Sequence, residues 1–241
     1  MLIVAVGDVH APKYFKEFLS ALSRVNWSGS NALVLLAGDL VDKGKIEFMK
    51  PVIKAIHSSI NGVTIGIFGN EEYDSLKDKI RSEYNSVIWL DDEVYYYEHE
   101  DSKIAIIGSR GVLDKPTLWQ RRNIPNIEEV YAERLEKIEY LLKKVPLGYT
   151  IILLTHYAPT YLTLEGEDKR IWPMLGSKRL EKLLLKYQPK LAIHAHAHKS
   201  TRHEAYVKST QVINVSFPAR RSIVTINLKR QDSGLERFLF K

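Results

Sequence analysis

MLIVAVGDVH, residues 1–10, is an apolar run of strand length that stops at a carboxylate and an imidazole two positions apart. Leu2–Val6 has the unbroken aliphatic character of a strand covered on both faces. Asp8 and His10 leave its carboxyl end on the same side. The figure recurs along the chain. Asp39 follows the run 32–37, Asn70 follows 63–68, His156 follows 150–154, and His196 with His198 follows 190–193. Five polar clusters therefore lie just past the carboxyl ends of five apolar strands, the edge at which open α/β sheets bind ligands.

The rest of the pattern fills in around these strands. Further apolar runs occur at 104–107, 212–215 and 223–228. Helical periodicity falls at roughly 13–25, 45–59 and 72–84. A longer amphipathic stretch, Ile127–Lys144, puts Ile127, Val130, Tyr131, Ile138, Leu141 and Leu142 on one stripe. Strand–helix alternation through the first half predicts α/β layers. From His203 onward strands follow one another without helices, which predicts a mixed or second sheet. No repeat, low-complexity tract or Pro/Gly/Ser-rich linker divides the chain, so residues 1–241 read as one domain.

Composition narrows the classes. The 241 residues are 45% hydrophobic and 27% charged, enough for a core and a solvated surface. No apolar run approaches the ~20 residues that span a bilayer, so no membrane partner is expected. The opening lacks the basic start and cleavage site of a signal peptide. With no cysteine there is neither a disulfide nor a thiolate ligand, which suits a cytoplasmic setting. The net charge of +6 serves solubility, and it also suits an anionic substrate or nucleic acid.

Asp8, His10, Asp39, Asn70, His156, His196 and His198 are three kinds of metal ligand. A carboxylate such as Asp39 has two oxygens and can bridge two cations, whereas the Asn70 amide offers one neutral oxygen. A nitrogen–oxygen set without sulfur suits Mn, Fe, Zn, Co or Ni, with manganese first. Two divalent ions set against two carboxylates and a bridging hydroxide leave about one positive charge, which attracts a phosphate. Such a pair, about 3.5–4 Å apart, also acidifies water into a nucleophile near neutral pH.

GDVH at 7–10, GDLVD at 38–42, GN at 69–70, THYAP at 155–159 and AHAH at 195–198 together resemble the successive motifs of the calcineurin-like metallophosphoesterases. The resemblance covers about residues 1–200 and implies a layered α/β fold, a two-sheet β-sandwich flanked by helices. It implies a hydrolase of phosphodiesters or phosphomonoesters, with a bridging hydroxide as nucleophile. Asp8, His10, Asp39 and His198 would hold one ion, and Asp39, Asn70, His156 and His196 the other. Asp42 would orient His10 or a loop. Two departures stand out. Ala195 replaces a glycine, leaving His194 before it to a structural role or to one supporting the ligands from behind. Glu71 stands where the family has a histidine that stabilises the transition state or protonates the leaving group, which makes Glu71 the candidate catalytic position.

Substrate would be read by the segment 109–123, SRGVLDKPTLWQRRN, which has no strand or helix pattern of its own. Arg110, just past the run 104–107, and Arg122 are candidate phosphate ligands. Trp119 beside Arg121 and Arg122 suits a base and its backbone phosphate, so a nucleotide or nucleic acid fits as partner. Tyr95–Tyr97 reads as strand packing, and Arg220 and Arg221 lie between C-terminal strands. The alternative function is a metal-binding scaffold of the same fold for protein or nucleic-acid partners, with little catalysis.

Overall fold

Side-chain alternation assigns the inner strands to two cores at once. Ile3 and Ala5 enter one apolar cluster while Val4 and Val6 enter another, as do Leu33 and Leu35 against Val34 and Leu36. A strand can bury both faces in this way only inside a sheet covered on both sides. The computed structural model describes residues 1–25, 32–99 and 102–228, so the one-domain reading of 1–241 extends over residues outside the described set.

In chain order the elements are β1 (Leu2–Val6), α1 (Phe15–Leu22), β2 (Ala32–Leu36), α2 (Met49–Ser59), β3 (Gly62–Ile67), α3 (Lys77–Glu83), β4 (Ile88–Leu90), β5 (Glu93–His99), β6 (Ser102–Ser109), α4 (Leu118–Asn123), α5 (Ile127–Lys144), β7 (Thr150–Thr155), α6 (Lys178–Tyr187), β8 (Leu191–His194), β9 (Glu204–Val207), β10 (Thr210–Asn214), α7 (Phe217–Arg220) and β11 (Val224–Asn227). They form a sheet ordered β11-β1-β2-β3-β4 and another ordered β5-β6-β7-β8-β10-β9. Strands β1 to β4 run parallel, with β11 antiparallel at the edge. In the second sheet β6, β7, β8 and β10 run parallel between antiparallel β5 and β9.

The central cluster joins the facing sides of the two sheets, with Ile3, Leu35 and Ile67 against Ile106, Leu154 and Ile193. The outer face of the first sheet packs on α1 and α2 through Phe18, Val52 and Ile56. The outer face of the second packs on α5 and α6 through Tyr131, Ile138, Leu180 and Leu184. The result is a helix–sheet–sheet–helix stack, the α/β layered sandwich expected.

Several elements differ from the sequence reading. Segment 109–123 does contain a helix, α4, started by a capping box in which the Thr117 hydroxyl accepts the Gln120 N–H and the Gln120 side chain accepts the Thr117 N–H. Helix α6 is amphipathic and begins at Ser177, whose hydroxyl accepts from Arg179 and Leu180; the reading passes over it. The helical pattern at 72–84 begins only after Tyr73, because Glu72 is buried and engaged elsewhere. The short α7 interrupts the C-terminal strands.

Candidate metal centre

Each predicted ligand stands where a strand of the sandwich ends. Asp8 and His10 follow β1, Asp39 follows β2 and Asn70 follows β3, while His156 follows β7 and His196 and His198 follow β8. The first four come from one sheet and the other three from its partner. The structure brings them together. Asp8, His10 and His198 form one group whose ligand atoms lie within 4.8 Å of one another, and Asp39, His156 and His196 form a second.

The two groups touch through Asp39, whose Oδ2 lies 3.3 Å from His156 Nε2 and 3.8 Å from His10 Nε2. His10 Nε2 is in turn 3.4 Å from His198 Nε2. The Asn70 Oδ1 lies 3.1 Å from His156 Nε2, which places it with the second group. Asp42 Oδ1 sits 3.9 Å from His10 Nδ1, where it faces the ring edge away from the cluster.

Backbone geometry at the site is unusual. Asp8, His10, Asp39 and His196 all have left-handed φ, between 43° and 67°. That region disfavours residues with a Cβ, and it is held only where surrounding structure fixes it. At Asp39 the fixing group is Glu72, fully buried. Its Oε2 accepts from Asp39 N and Gly69 N, both at 2.8 Å, and its Oε1 from Leu40 N at 2.8 Å and Val41 N at 3.3 Å. Gly69 has no room for more: a Cβ there would lie 2.5 Å from Asp39 N and against its carboxylate. The sequence reading does not single out Glu72, although a second acid after GN is the available signal.

Electrostatics follows from burying acids among imidazoles. Burial raises the Asp8 carboxyl, but His198, with its hydrogen bond, then His156 and His10 outweigh that and hold it well below the usual range. Burial would lower His156; Asp39 and Asp8, with the Ala37 carbonyl, push it up to about 9. His196, buried beside His156, is pushed down to about 3. His194 is pushed down to about 4 by burial. It is spoken for by Thr163 Oγ1 at 2.7 Å and the Ala195 carbonyl at 2.8 Å, in keeping with a structural role. Burial and Asp39 raise Glu72 to about 7 against its backbone N–H donors.

Two observations test whether metal ions fit. Asp8 Oδ2 accepts from His196 N at 2.8 Å, but Asp8 Oδ1 is buried without any hydrogen-bond partner. An orphaned carboxylate oxygen is costly, and a cation is the partner that the surrounding imidazoles leave room for. His156 Nδ1 lies 2.9 Å from the Ala37 carbonyl and donates there, so Nε2 is the nitrogen turned to the cluster, free to bind an ion once the ring is neutral. The donor set fits divalent ions.

The remaining candidates divide. Ala195 has an ordinary φ and packs against Gly7, so the loss of glycine costs nothing here. Arg110 is buried; its Nη2 donates to the Glu72 carbonyl and pairs with Asp74, both at 3.0 Å, tying it to the segment after Asn70. Arg122 lies exposed on α4. Glu71 accepts from Lys43 N at 2.7 Å and from Asn70 Nδ2 at 3.2 Å. Arg221, at the end of α7, lies 4.9 Å over the Tyr14 ring, which meets His10 edge-on at 6.4 Å. Among the described residues no helix is long and apolar enough to cross a membrane.

A family model described as calcineurin-like phosphoesterase matches residues 1–200. No curated protein sequence matches the chain. Among solved structures, phosphopantetheinyl hydrolase from Mycobacterium tuberculosis superposes with a TM-score of 0.72 at 10% identity, over 96% of this chain and 97% of the other. A sulfate thiohydrolase from Thermus thermophilus gives 0.59 at 13% identity, over 95% and 53%. A 5'-nucleotidase precursor from Thermus thermophilus gives 0.53 at 15% identity, over 95% and 51%. The chain thus spans about half the length of the last two, and at these identities the likeness is one of fold.

Proposed function

The chain belongs to the calcineurin-like phosphoesterases, and on that premise we propose that it hydrolyses phosphodiesters or phosphomonoesters at a centre of two divalent metal ions, manganese first among the candidates. Asp8, His10, Asp39 and His198 would hold one ion, and Asp39, Asn70, His156 and His196 the other. The observation that carries this reading is the place of Asp39 Oδ2, within 4 Å of one imidazole from each group. Bound divalent ions would supply acidified water as nucleophile and positive charge for the phosphate.

The chain's own residues set what that chemistry can do. The Ala37 carbonyl fixes the His156 tautomer, and Glu72 fixes the backbone that presents Asp39. Both Glu71 oxygens already accept N–H groups, one from Lys43 and one from Asn70, so help for the leaving group is weak at that position. Arg221, over the Tyr14 ring beside His10, and the exposed Arg122 on α4 are the proposed contacts for an anionic substrate, with a nucleotide or nucleic acid among the classes they suit. Residues 1–241 are read as one domain, in a cytoplasmic setting suited to a chain without thiols.

The test is a screen of the metal-reconstituted protein against aryl and alkyl monoesters, diesters, cyclic nucleotides and short oligonucleotides. Metal-dependent turnover that His156→Ala abolishes is the expected result. Tight metal binding with no turnover of any ester would favour the scaffold reading instead.

A further inference from the structure

Asn70 is the one proposed ligand with two chemically different ends, and only its oxygen can hold a cation. Which end faces the cluster is therefore decided by whatever the other end meets. Here Nδ2 donates to Glu71 Oε1 at 3.2 Å, while Oδ1 lies 3.1 Å from His156 Nε2. A carboxylate only accepts, so the reversed amide would set two acceptors face to face. Glu71 is itself held on three sides. Its Oε2 accepts from Lys43 N at 2.7 Å, its N–H donates to Asp39 Oδ1 at 2.7 Å, and its carbonyl accepts from Gly44 N at 2.9 Å.

We infer that Glu71 is a positioning residue: it turns the Asn70 amide so that Oδ1 faces the second metal site, in place of a proton-transfer role. The inference rests on the metal reading of the cluster. It accounts for this acid in chemical terms, because a carboxylate takes up the amide NH2 group and leaves the amide oxygen for the cluster.

Glu71→Gln separates orientation from shape. Lys43 N–H would claim the single new oxygen, leaving the new NH2 group against Asn70 and turning the Asn70 oxygen outward. Titrating the metal-free protein with Mn2+ alone in a calorimeter should show the second ion bound about tenfold more weakly. In an Asn70→Ala background, where there is no amide to orient, Glu71→Gln should change that affinity by less than roughly twofold. Equal losses in both backgrounds would mean that charge alone matters, and an unchanged affinity with Asn70 in place would mean that Glu71 does nothing to it; either overturns the inference.

The side-chain NH2 resonances of Asn70 in the metal-free protein give a readout independent of metal affinity and of any esterase activity. They should move in Glu71→Gln, as their carboxylate acceptor is lost. Resonances that stay in place would overturn the orienting role while leaving the hydrolase reading untouched.

Discussion

Glu72 Oε2 accepts the backbone N–H of Asp39 at 2.8 Å, and the same oxygen accepts that of Gly69, so one buried carboxylate fastens the end of β2 to the end of β3. Neither Asp39 nor Asn70 could keep its place if those two chain ends moved apart. Glu72→Ala should strand four buried N–H groups and lower unfolding stability by about 3–5 kcal/mol. Urea denaturation of the metal-free variant measures it, and a loss below about 1 kcal/mol would show that water replaces the carboxylate.

Asp39→Ala should release both metal ions rather than one, since its Oδ2 faces His156 and His10 together. Metal analysis after dialysis decides the matter. One ion retained at full occupancy would remove the shared role.

Metal should stabilise the protein more as pH rises. His156 is pushed up to about 9 from an ordinary 6.5, so its contribution to the metal-free fold is complete below 6.5 and fades as pH climbs toward 9. A bound ion needs that imidazole neutral, so its affinity grows over the same range. His196, pushed down to about 3, stays neutral throughout. The rise in melting temperature on adding Mn2+ should therefore be larger at pH 8.5 than at pH 6.5. A flat or shrinking difference would contradict it.

Leaving groups should matter. With Glu71 accepting rather than donating, turnover should fall along a series of esters as the leaving-group pKa rises. Assayed at saturating Mn2+, so that the lost carboxylate acceptor of Asn70 does not empty the second site, Glu71→His should recover poor leaving groups more than activated ones. Rates insensitive to the leaving group in the unaltered enzyme would place an undiscovered proton donor in the site.

Arginines can be sorted by kinetics. Arg221→Ala should lower kcat/KM by roughly 1.5–3 kcal/mol if it contacts the phosphate. Arg122→Ala should do so only if the substrate extends to α4. Arg110→Ala should mainly destabilise the fold, because its guanidinium holds the Glu72 carbonyl and Asp74. Paired denaturation and kinetic measurements separate the cases.

The proposed ligands are legible because each follows an apolar strand, and strand ends are where chain order and spatial order coincide. Asp8, His10, Asp39, Asn70, His156, His196 and His198 announce themselves by type and position. Glu72 does not, since an acid beside another acid in a turn carries no period, and its role lies in backbone groups that sequence leaves invisible. Helix α4 was hidden for a related reason. Its six residues are too few to show a helical stripe, and the signal is the Thr117–Gln120 cap rather than hydrophobicity. The Tyr95–Tyr97 run does pack a strand, β5. The approach of Arg221 to Tyr14 depends on the turn after α7, which residue type alone does not encode.

Asp8 and His10 rise from one sheet and meet His198 from the other, while Asp39 meets His156 and His196 across the same seam. Neither sheet by itself owns a complete set. During synthesis the acidic half is made first, and it waits for imidazoles that arrive more than a hundred residues later. A nascent chain short of residue 196 therefore has Asp8 and Asp39 but not the full proposed set for either ion. On the proposed ligand assignment, neither ion has its full set until both sheets have met.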